Sequence, residues 1–129
     1  MRPLLVPADE VRLIFPQVRK YLQGAIDRSH TDQTVRWLEE QCERGKADLV
    51  VDDYTAPKAA AVIRLEKWES PVLNVLCFGA RRGVAWQEAL SSIKVLARHH
   101  GAVVRATART GFKRKFPDVK VIASVYEWS

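Results

Sequence analysis

Residues 79–85 read Gly-Ala-Arg-Arg-Gly-Val-Ala and lie between an apolar strand pattern and an amphipathic helix pattern. A helix N-terminus leaves its first N–H groups unpaired and adds positive potential, so it is a ready anion site. Arg81 and Arg82 beside it suit a phosphate or pyrophosphate. A phosphorylated ligand is therefore expected here, at Phe78, Gly79, Arg81, Arg82, Gly83, Val84 and Ala85. Gly83 either lets the backbone approach such a ligand or only permits a tight strand-to-helix turn. The arginines are either ligands or solvated loop charges.

Other reactive side chains read more plainly. Glu66 is placed for a general base near a sheet edge, but a solvated strand-end carboxylate is the simpler reading. Tyr126 can donate a proton, but a strand tyrosine packed with its hydroxyl at the rim is the preferred reading. His30, His99 and His100 lack the spacing of a metal site, and the latter two suit a helix C-terminal turn. No Ser/His/Asp or Cys/His nucleophile pattern is present, so no catalytic side chain is assigned. Arg105, Arg109, Lys113, Arg114, Lys115 and Lys120 alternate with Phe112 and Phe116. That set can touch nucleic acid, but a solvated loop or a contact to an acidic protein is preferred.

The elements that position these residues follow from periodicity. Residues 4–6 form a short strand that Pro7 breaks. Asp9 starts a helix carrying Val11, Leu13, Ile14 and Phe15, and Pro16 interrupts or restarts it. Val18, Leu22 and Ala25 continue one face. Ser29 or Thr31 is expected to cap a second helix lined by Val35, Leu38 and Cys42 and ended by Gly45. Strands follow at 48–52, 59–66 and 72–78, the last nearly continuously apolar and so central. Trp86, Leu90, Ile93 and Ala97 then fall at helical spacing, which makes Trp86 a core residue of a helix over about 84–99. Residues 102–107 are a strand, parallel to 72–78 through a right-handed crossover. Residues 120–127 are one final strand.

Composition bounds the partners. The 129 residues suit one domain over 1–129 with a genuine core. They carry a net charge of +6 and a pI near 9.6, which favours anionic partners without choosing among them. No apolar run crosses a membrane, and the first residues are too short for a signal peptide. Cys42 and Cys77 are isolated and read as reduced core residues of a cytoplasmic protein.

The element order β-α-α-β-β-β-α-β-β resembles the GCN5-related N-acetyltransferase (GNAT) superfamily without its last helix. The family's pyrophosphate loop, Gln/Arg-x-x-Gly-x-Gly/Ala, is matched at Gly83-Val84-Ala85. Its leading position falls on Ala80, with Arg81 or Arg82 as the substitute. The family's Gly-Phe pair is matched at Gly111-Phe112. Gly83, Trp86, Leu90, Ile93, Ala97-Arg98, Gly101 and residues 109–114 further resemble short GNAT-like proteins of tailed bacteriophages and prophages.

The resemblance implies an α/β fold with a mixed central sheet and helices on both faces. It implies acetyl-CoA as the cofactor, held over residues 79–85, and transfer of its acetyl group to an amine or protein acceptor. Two features depart from the family. Only residues 108–110 separate Thr107 from the Gly-Phe pair, which leaves no room for the helix that often carries a tyrosine acid. The fourth strand also lacks the carboxylate that many members use as base. The alternative is a non-catalytic virion component or host-targeting effector that binds its partner through a basic surface.

Overall fold

The computed structural model describes residues 4–28, 33–67, 71–81, 86–107, 120–122 and 125–128. Strand β1 (Leu4–Val6) leads through a 3-10 turn (Ala8–Glu10) into helix α1 (Val11–Arg28) and then α2 (Val35–Glu43). Strands β2 (Asp48–Val51), β3 (Ala59–Lys67) and β4 (Pro71–Ala80) follow. Helix α3 (Trp86–His99) crosses to β5 (Val103–Thr107), and β6 (Lys120–Ile122) and β7 (Val125–Trp128) close the order. Among the described residues the sheet has seven strands in the order β1-β2-β3-β4-β5-β7-β6. Among the described residues only the β4–β5 pair is parallel; the others are antiparallel.

Alternation along the strands divides the core between the two faces, because successive strand side chains leave on opposite sides. Leu49, Val51, Ala60, Val62 and Cys77 pack with Phe15, Val18 and Leu22 of α1 and Leu38 of α2. Val50, Ala61, Ile63, Leu73 and Val104 pack with Ile93 and Ala97 of α3. Helices thus cover both faces, as the expected fold class required. Many of these side chains are almost wholly buried, so each contributes roughly 1.5–3 kcal/mol by leaving water.

Local chemistry sets the helix ends. Thr34 caps α2, its hydroxyl accepting from the Trp37 N–H at 3.1 Å. The cap expected at Ser29 or Thr31 is therefore corrected; those two residues lie outside the described ones. Thr34 carries no acidic residue three positions on, so the capping-box pattern does not mark it. Gly45 and Gly101 adopt φ of 71° and 62°, the left-handed conformation that ends a helix most cheaply at glycine. At α3 the Gly101 N–H donates to the Arg98 carbonyl and the Ala102 N–H to the Ala97 carbonyl, at 3.0 and 2.9 Å.

Three further expectations change. Pro16 neither interrupts nor restarts α1; it sits within one continuous helix with its ring exposed. The single final strand is two strands, with Ile122 paired to Val125. Uniform alternation over 120–127 hid that reversal, since both arms of a tight hairpin keep the same period. The third change extends β4 to Ala80, so Gly79 and Ala80 are paired strand residues and not loop.

Candidate functional site

The site begins with a change of pairing along β4. β5 runs beside it from Val72↔Val103 to Val75↔Ala106, and the ladder stops there. β4 continues to Ala80 beside β3, while β5 reaches Thr107 paired with Val125 of β7. The two parallel strands fork. The edge of β4 over 76–80 has no β5 partner, about 17 Å at about 3.3 Å per residue. On such an edge, alternate residues present their N–H and C=O away from the remaining neighbour.

A β-bulge marks the fork. Val62 pairs with Cys77 and Ile63 with Val75, so Leu76 is the extra residue. Leu76 and Cys77 consequently both pack on the α1 side, while Val75 and Phe78 pack on the α3 side. Bulges turn a strand and re-aim its groups, and they are common beside active sites. This one lies at the point where the β4–β5 ladder ends. The β4–β5 ladder ends here, and open α/β sheets bind ligands beyond the ends of their parallel strands.

The sequence-predicted residues distribute around this fork. Phe78 is half-buried on the α3 side, opposite Ala61. Gly79 is buried on the other side, and a Cβ there would meet the Tyr21 carbonyl oxygen of α1 at 2.1 Å. Its pairing partner Ala60 is also small, so the two together admit the α1 backbone. Gly79 thus has a packing reason that a loop reading does not supply. Arg81 is exposed just past the strand, its N–H donating to the Lys58 carbonyl at 2.7 Å. Arg82, Gly83, Val84 and Ala85 lie outside the described residues, as do residues 108–119.

The remaining candidates fall into place around them. Glu66 is half-buried and accepts from Nε of Arg64 at 3.0 Å. Tyr126 stands opposite Ala106, at the last rung before the fork. His99 and His100 are exposed at the end of α3. No group of three potential metal ligands exists among the described residues. Among them, no helix is long and apolar enough to cross a membrane.

Both cysteines are free and buried in the α1/α2 core. Burial pushes the Cys42 thiol up to about 12, with Asp48, Glu39 and Glu43 adding to the rise. Burial alone pushes Cys77 up to about 12. Neither is a nucleophile at neutral pH, since the thiolate is the reactive form.

Sequence reasoning missed the bulge and a polar row beside it. Arg64 of β3, Asn74 of β4 and Arg105 of β5 are successive register partners. No local signal marks them as neighbours, because each lies on a different strand. A groove of about 540 Å³ between α1 and α2 is lined by charged residues. Two ion pairs there, Arg19–Glu39 at 2.6 Å and Arg36–Glu40 at 3.5 Å, leave it little unspent charge.

Known structures share this architecture. An aminoglycoside acetyltransferase, meta-AAC0020, from an uncultured soil metagenomic sample, solved with sisomicin, superposes with a TM-score of 0.66 at 9% identity, covering 95% of this chain and 91% of that one. A GNAT family acetyltransferase of Staphylococcus aureus subsp. aureus USA300_TCH1516 gives 0.58 at 9% identity, over 86% and 90%. The NatC complex bound to Gag peptide and CoA gives 0.54 at 12% identity, over 98% and 96%. No family model and no curated protein matches the sequence. The chain has the fold of GNAT acetyltransferases.

Proposed function

We propose that the protein is an acyl-CoA-dependent N-acetyltransferase. The observation that carries this reading is the end of the parallel ladder: β4 runs on past a bulge over 76–80, where no described β5 residue pairs with it. A pantetheine chain, with its two amides, has the donors and acceptors to complete such an edge as a strand would. The backbone over 76–80 would hold that chain, and the loop at Arg81, Arg82, Gly83, Val84 and Ala85 would take the pyrophosphate. Acyl-CoA supplies a thioester, already activated toward amines. The chain would exclude water and hold the acceptor nitrogen against the bulge, where a backbone N–H can stabilise charge on the carbonyl oxygen. A C–N bond forms, the C–S bond breaks, and the amine proton passes to water.

The short connection after Thr107 and the absence of a carboxylate on β4 favour a slow enzyme without a dedicated acid or base. Its rate should then rise with pH until the acceptor amine is deprotonated. General acid–base assistance is worth about 10²–10⁴-fold, so neither Glu66→Gln nor Tyr126→Phe should cost about 100-fold or more. Calorimetry with acetyl-CoA tests the reading directly. Binding is expected, and Gly83→Glu should abolish it through bulk and like charge. No binding, together with no turnover of an amine panel, sinks the enzyme reading. It would favour a virion or effector role of the kind that the phage-type pattern in residues 83–114 suggests.

A further inference from the structure

The end of β2, the start of β3 and the end of β4 lie side by side where β4 runs out at Arg81. The ladders place Val51 opposite Ala60, and Ala59 opposite Ala80. Beyond those rungs one side chain continues the pairing. Asp52 is the first residue after β2, and its Oδ1 accepts from the Lys58 N–H at 2.9 Å and the Ala59 N–H at 3.1 Å. The Lys58 carbonyl in turn accepts from the Arg81 N–H at 2.7 Å. Asp52 is thus linked to Arg81 through a single residue, which it holds by the N–H and Arg81 holds by the C=O.

The rest of the β2–β3 connection is tied down separately. Asp53 Oδ1 accepts from the Thr55 N–H at 2.8 Å, a turn that closes on itself. The Tyr54 hydroxyl donates to the Leu5 carbonyl of β1. Pro57 is buried, and its ring fixes φ just before Lys58. The two neighbouring aspartates therefore differ: Asp53 shapes its own turn, while Asp52 spans to the strand beside Arg81. Asp52 is half-buried, and a carboxylate near an anion site opposes the anion by like charge. What Asp52 offers such a site is its bonds.

A loose exit from β4 would have to be ordered each time a ligand bound, whereas a fixed one presents its loop already set. We infer that Asp52 is a positioning residue for acyl-CoA: acting through Lys58, it fixes the backbone of Arg81, where the pyrophosphate loop begins. The inference rests on the acetyltransferase reading above, which gives the loop at Arg81, Arg82, Gly83, Val84 and Ala85 to the cofactor.

Calorimetry with acetyl-CoA and the full chain tests it. Asp52→Ala should weaken binding about ten-fold, the order set by losing a hydrogen bond to a charged group. Loss of the charge alone would tighten binding, so the two causes have opposite signs. Asp52→Asn keeps the accepting oxygen and should bind at least as tightly as the natural protein. Asp53→Ala breaks the adjacent turn and should leave affinity unchanged. In turnover, Asp52→Ala should raise KM for acetyl-CoA and leave kcat and the KM for the amine in place. Thermal melts confirm that each variant is folded. If Asp52→Ala does not fold, Asp52→Glu takes its place, keeping the charge but shifting the oxygen by one methylene, and it too should bind more weakly. Unchanged affinity in the Ala variant, or in the Glu variant where that replaces it, overturns the inference. An equal loss in Asp53→Ala, or in Asp52→Asn, overturns it as well. No binding by the natural protein removes the acetyltransferase reading and this inference with it; binding that Asp52→Ala leaves intact removes the inference alone.

Discussion

β4 has two halves with different neighbours. From Val72 to Val75 it is paired on both edges, to β3 and to β5; from Leu76 to Ala80 it is paired to β3, with no described β5 residue opposite its other edge. In the first half the backbone is spent on neighbouring strands, and side chains such as Leu73 fill the core. In the second half β5 no longer pairs with the strand, and small or bulged residues adjust what surrounds it. Gly79 brings α1 close, and Leu76 is the bulged residue where the β5 ladder ends. The same strand is scaffold before the bulge and, on the proposed reading, the cofactor edge after it. The difference comes from pairing, since both halves are apolar.

Four experiments can break or sharpen that contrast. Leu73→Ala should have the largest effect, about 2–5 kcal/mol lost, because Leu73 is almost wholly buried. Denaturant unfolding measures it, and a loss below about 1 kcal/mol would show that the doubly paired half is not core. Gly79→Ala should cost about 3 kcal/mol, the top of the usual overpacking range. The new methyl would meet α1 backbone and not a flexible side-chain tip. An equally stable variant would mean that α1 does not rest on the second half of β4.

The thiols give a smaller, pH-dependent effect. Cys42 and Cys77 titrate near 9.0 when unfolded and near 12 in the fold. The unfolded state therefore loses these protons first as pH rises. Their contribution to stability is full below about pH 9 and falls away as pH climbs toward 12. Urea midpoints across that window should decline, less so in a Cys42→Ala/Cys77→Ala double variant. A parallel decline in both proteins would assign the loss to other groups. The smallest signal is local. Acetyl-CoA should slow amide exchange at alternate residues over 76–80 and leave 72–75 unchanged, those amides being already bonded within the sheet. Uniform protection of both halves would erase the distinction.

Much of the architecture is legible in local pattern. Helical spacing in Val18–Leu22 and Ile93–Ala97, the glycine stops at Gly45 and Gly101, and the crossover that makes β4 and β5 parallel are all consequences of nearby residues. The buried state of both cysteines follows from the apolar faces that carry them. Strand and helix periods are short-range properties, so a sequence states them directly.

The functional details are of another kind. Where the β4–β5 ladder stops, which residue bulges, and which side chains meet across three strands depend on how whole strands fit together. Leu76 looks like any apolar strand residue, and the hairpin within 120–128 keeps one unbroken alternation. Gly79 reads as a loop glycine until α1 is seen resting on it. Arg64, Asn74 and Arg105 are far apart along the chain and become one row only through register. The sequence by itself determined the elements and the faces they bury. Only the tertiary structure decided the fork and the charges beside it, because register is a sum over non-local contacts that no single segment contains.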